Sequence, residues 1–161
     1  MTSENPTEAL IWSEFEGVVF ITHAYVPFLG LEAEISAIKK GDATGPGIND
    51  IETVGKILAY CGDLRTPLIE ATYSYYQSEI YGSFQSFDNE GNDITETVAP
   101  PLTEPAQIWP MLSKPEIHTW IYSQRDTDIR FAVAFECPWD KEHGFSALIE
   151  DWQITEVGDV L

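Results

Sequence analysis

Polar and apolar positions change rhythm twice along the chain. Leu31, Ala33, Ile35 and Ala37 alternate with Glu32, Glu34, Ser36 and Ile38, and this two-residue period predicts a strand with one face on a core. Ahead of it, residues 9–12 and 17–22 are short runs rich in β-branched and aromatic side chains. They predict two further strands with a turn over 14–17. Glycines and Pro46 close this first unit as a loop over 41–47. The rhythm then becomes helical. Ile51, Val54, Ile57, Leu58 and Cys61 recur at three and four residues, with Asn49 or Asp50 placed to cap and Gly62 to stop. Cys61, on that stripe, is expected to be a buried free thiol. A second helix is predicted from Thr66 and Pro67, a cap followed by proline at the first helical position. It runs through Leu68, Thr72, Tyr75, Tyr76 and Ile80 to Gly82, its tyrosines half-buried with their hydroxyls in water.

Residues 86–105 lose all periodicity and gather acids, glycine and proline, which predicts an exposed acidic connection. Residues 106–112 are consistent with a brief helix kinked near Pro110, and Pro115 returns the backbone to extended geometry. A strand meander is predicted thereafter: 116–123, a polar turn over 124–128, then Ile129, Phe131, Val133 and Phe135 alternating with Arg130, Ala132, Ala134 and Glu136. Residues 145–150 and 152–157 complete it. Strands, then helices, then strands predict a single α+β domain over 1–161. An antiparallel sheet would carry two or three helices on one face.

Charge narrows the function. Twenty-seven Asp and Glu against eight Lys and Arg give a formal net charge of −19 over 161 residues. That field repels nucleic-acid phosphates and anionic lipid and attracts basic surfaces. Nucleic-acid binding and peripheral membrane docking are therefore excluded as readings. Two cysteines make no disulfide framework, residues 1–8 lack a basic leader, and no apolar run approaches a membrane span, so a cytosolic protein is expected. No cofactor signature is present, and none is expected.

One stretch concentrates chemistry: Cys137-Pro138-Trp139-Asp140-Lys141-Glu142-His143-Gly144. Structurally, Trp139 can fold over the sheet edge, Asp140 can accept from backbone amides, Gly144 can take a positive φ and His143 can lock the loop. Trp139, Asp140, Glu142 and His143 are accordingly the candidate binding residues. A metal-dependent or thiol hydrolase is the alternative, using Cys137, Asp140, Glu142 and His143, with His23 or His118 completing a ligand set through the fold. The spacing fits poorly, because neither C-x-x-C nor H-E-x-x-H is present. For thiol chemistry, Pro138 stiffens the intervening chain and neighbouring acids raise the thiol pKa. No catalytic residue and no metal ligand are assigned.

Residues 135–145, followed by Thr155-Glu156-Val157-Gly158, resemble a bacterial family of unknown function. Its pattern is a strand, W-D-x-E-H-G with an apolar residue, and a closing strand near V-G. Tyr75-Tyr76 and Pro115-Glu116-Ile117 are similar too. The resemblance implies no catalytic residue. It implies a role as an immunity protein against a toxin, which agrees with the charge: an acidic domain would associate rapidly with a basic partner.

Overall fold

The computed structural model describes residues 10–119 and 128–161. Three strands come first: β1 (Ser13–Phe15), β2 (Val19–Val26) and β3 (Leu31–Ile38). Helices α1 (Ile48–Ala59) and α2 (Arg65–Tyr75) follow, α2 running into a π-helical turn at Tyr76–Ile80. A short α3 (Thr95–Val98) and a 3-10 helix (Pro105–Met111) lead to β4 (Ser113–His118), β5 (Arg130–Cys137), β6 (Asp140–Glu150) and β7 (Gln153–Gly158). The strands form one seven-stranded sheet in sequence order. Every neighbouring pair is antiparallel except β3 and β4, which run parallel. A parallel step needs a crossover, and the helical segment between β3 and β4 supplies it. The α+β class expected from the chain's rhythm is the one observed.

Alternation decides which face is covered. Ala33, Ile35, Ile117, Phe131, Val133, Phe145, Ala147 and Ile149 point to one side and pack on Val54, Ile57, Leu64 and Leu68 of the helical segment. A second cluster joins Tyr76, Ala99 and Ile108, with Trp139 against it. The connection over 86–105 thus contributes Ala99 to a core. It also contains α3 and a bridge between Phe87 and Asp93, closed by Asp88 accepting the amides of Glu90 and Asn92.

Several local expectations are corrected. The first strand is Ser13–Phe15, not 9–12, of which residue 9 lies outside the described residues. Ile11 is 83% exposed, while the polar edge strand is held by pairing to β2, which hydrophobicity does not reveal. Helix α1 is preceded by Gly47, so neither Asn49 nor Asp50 caps it. Asp50 is buried within the first turn and accepts the Thr119 hydroxyl at 3.1 Å. Helix α2 opens at Arg65 rather than at a Thr66 cap, and Asp63 accepts the Thr66 amide at 3.0 Å. Cys61 is exposed, because α1 ends at Ala59 and Tyr60 turns extended, breaking the stripe before it reaches the thiol. The Tyr76 hydroxyl is not in water: its ring is fully buried and it donates to the Pro100 carbonyl. The strand expected over 116–123 is Ser113–His118, and 120–123 and most of the turn over 124–128 lie outside the described residues.

Candidate functional site

The stretch around Trp139 is a hairpin rather than a loop. Cys137 pairs with Asp140, so Pro138 and Trp139 alone make the turn between β5 and β6. Phe135 then pairs with Phe145, which leaves residues 141–144 bulged opposite the single residue Glu136. Gly144 makes this possible. Its φ is +69°, and a Cβ there would drive into the Phe135 carbonyl oxygen.

The expected site residues take separate roles. Trp139 is half-buried, edge-on to Tyr76 at 5.2 Å between ring centroids and to Phe145 at 6.2 Å. Asp140 accepts the His143 amide at 2.9 Å and lies 3.4 Å from the His143 ring nitrogen Nδ1. Glu142 and His143 are exposed on the bulge. Cys137 is buried and its sulfur leans on the Asp140 carbonyl at 3.7 Å. Burial pushes its thiol up to about 11, so it is protonated at neutral pH. Among the described residues, no group of three or more His, Cys, Asp and Glu is placed to hold a metal ion.

A different concentration of polar chemistry lies on the sheet face away from the helices. Pairing across β2, β3, β4 and β5 aligns His23, Glu34, Glu116 and Ala134 in one row. The next row holds Ile21, Ser36, His118 and Ala132. His118 bridges the rows: Nδ1 meets the Ser36 hydroxyl at 2.9 Å and Nε2 meets the Glu116 carboxylate at 3.2 Å. Glu34 and Glu116 stand directly opposite each other across the parallel strands, and their carboxyls influence one another. His23 stands 4.0 Å from Glu34 on the far side.

The two carboxyls are pushed in opposite directions. Burial, then the neighbouring Glu116 charge and hydrogen bond, raise Glu34 above the usual carboxylate range. The hydrogen bond from His118 holds Glu116 below it. When the pair shares one proton, Glu34 carries it. Ser36, His118 and Glu116 are the residue types of an acyl-transfer relay. Ser36 is only 7% exposed, however, and the row works as a brace that fixes the Glu116 carboxylate.

In front of that brace is a groove of about 330 Å³ lined by His23, Glu32, Glu34, Lys114, Pro115 and Glu116. Lys114 is engaged sideways with Glu136 at 3.1 Å. Tyr25, cross-strand from Glu32 on the same face, is 58% exposed. Sequence reasoning reached His23 and His118 only as remote ligands. It missed Glu34 and Glu116, whose signal is their outward place in alternating strands. Their meeting depends on a parallel pairing of segments some eighty residues apart.

Among the described residues, no helix is long and apolar enough to cross a membrane. A family model described as a domain of unknown function (DUF6985) matches residues 11–160, nearly the whole chain. It says nothing of the W-D-x-E-H-G pattern or of an immunity role. No curated protein and no solved structure matches.

Proposed function

The chain belongs to that family of unknown function, and since membership assigns no activity, we propose from charge and geometry that it is a non-catalytic protein that binds a basic partner. The observation that carries this reading is the net charge of −19. A surface so charged raises the local concentration of cationic macromolecules and speeds their encounter by orders of magnitude at low salt. Nucleic acids and anionic membranes are disfavoured by the same field. A toxin whose basic cleft holds phosphates is the partner this chemistry fits best, with the chain as its immunity-type inhibitor in the cytosol.

The hairpin supports the reading from the structural side. Trp139 and Asp140 are spent on holding the turn, which leaves Lys141, Glu142 and His143 as the exposed groups of that segment. A thiol hydrolase at Cys137 would need a thiolate, and burial holds that sulfur protonated.

The test is capture at low ionic strength. Immobilised protein is expected to retain a basic protein from its native cells and to release it on raising salt. Co-expression is then expected to relieve growth inhibition caused by the captured protein. Retention of acidic or neutral proteins only, or of a basic protein indifferent to salt, would defeat the proposal.

A further inference from the structure

The reading above leaves open where on an acidic surface a partner is gripped. We infer that the groove on the helix-free face, between the outward side chains of β2, β3 and β4, seats an arginine side chain of a basic protein, with Tyr25 packing alongside. This rests on the binding function just proposed and goes further by naming the surface and the group it recognises.

Three independent features of that face converge. The first is shape and donor matching. Glu32 and Glu34 project from β3 and Glu116 from β4 into one groove of about 330 Å³, presenting acceptor oxygens from two adjacent strands. A guanidinium is a planar fork of N–H donors that satisfies two carboxylates at once, whereas an ammonium is a point charge. The second is preorganisation. Glu116 is held from behind by His118, itself bonded to Ser36, so its carboxylate is oriented before any partner arrives. Lys114, which lines the groove, is drawn towards Glu136 outside it.

The third is the anchor beside the groove. Tyr25 is 58% exposed directly across from Glu32, and a large amphipathic ring beside a charged pocket is the composition of an interface hot spot. Among the described residues, the titratable groups lining the groove are His23 from β2, Glu32 and Glu34 from β3, and Lys114 and Glu116 from β4. Neighbouring carboxyls on adjacent strands repel when both are ionised. In the free protein a proton on Glu34 relieves this, and an arriving guanidinium would replace that proton. Because the Glu34 pKa is raised in the free protein and a guanidinium would lower it, binding should release a proton across the pH range where Glu34 titrates.

The experiment uses the full chain with oligoarginine and oligolysine peptides of equal length, measured by isothermal titration calorimetry at low salt. Wild type is expected to bind oligoarginine more tightly than oligolysine. Titrations in two buffers of different ionisation heat are expected to show proton release that Glu34→Gln abolishes. The pair Glu34→Gln with Glu116→Gln is expected to weaken oligoarginine binding about tenfold. The charge-matched pair Glu90→Gln with Glu96→Gln, both exposed and remote from the groove, should cost much less. Equal losses from the two pairs, or equal affinity for the two peptides, would overturn the groove assignment while leaving the general binding function standing. Failure of wild type to bind either peptide at low salt would overturn both.

Discussion

Replacing Gly144 by alanine probes the hairpin that shapes the Trp139 segment. Gly144 has φ +69°, and an added Cβ would collide with the backbone carbonyl oxygen of Phe135. The left-handed conformation alone costs a non-glycine residue about 1–2 kcal/mol. The collision adds to this, because the obstructing atom belongs to the backbone of a paired strand and cannot rotate aside. Overpacking of this kind costs about 1–3 kcal/mol, which brings Gly144→Ala to about 2–5 kcal/mol. Gly91→Ala is the internal control. Its φ is +83°, but a Cβ there meets nothing within 4 Å, so only the conformational cost of about 1–2 kcal/mol applies. Thermal denaturation followed by far-ultraviolet circular dichroism reads both variants. For a chain of this length each kcal/mol lowers Tm by about 2–4 °C, so the collision should make Gly144→Ala melt about 2–12 °C below Gly91→Ala. Equal losses in the two variants would refute the close approach of Gly144 to Phe135, and with it the bulge over 141–144.

Three further outcomes follow from the same packing and charge. Trp139→Ala should destabilise by about 2–4 kcal/mol in the same assay, since it strips the edge-on contacts to Tyr76 and Phe145; an unchanged melting curve would mean the ring is not packed there. In a thiol-labelling time course Cys61 should react at once and Cys137 only on unfolding, and comparable rates would contradict the burial of Cys137. The folded-state pKa of Glu34 is raised, so its contribution to stability is present in acid and is lost as pH rises through that folded value. Glu34→Gln should therefore gain stability relative to wild type as pH rises above the ordinary carboxylate range, and a difference independent of pH would refute the raising of Glu34 by burial and by the Glu116 charge.

Much of the fold was legible because its signals are local. The alternation from Leu31 to Ile38 coincides with β3, and that of Ile129 to Glu136 overlaps β5. The stripe from Leu68 to Ile80 became α2 and its π-helical turn, with Leu68, Thr72 and Tyr76 fully buried. What escaped depends on partners distant in sequence. The strand Ser13–Phe15 has an exposed pattern throughout and exists by pairing to β2. The fate of the Tyr76 hydroxyl was set by a carbonyl twenty-four residues later, in a connection whose composition suggested only exposure. The candidate site divides in the same way. A connection between two strands and a positive φ at Gly144 were readable from residue type, although the turn itself is confined to Pro138 and Trp139; the carboxyl row of Glu34 and Glu116 required knowing that β3 and β4 lie side by side.

The central claim is that a strongly anionic body meets a cationic macromolecule by electrostatic steering. It is tested most directly by the association rate constant for the captured basic protein, measured by stopped flow across a range of ionic strength. The account predicts that the rate falls about tenfold or more between roughly 20 and 300 mM salt, as the Debye length contracts from about 20 Å to below 10 Å. An association rate that does not change over that range would contradict it.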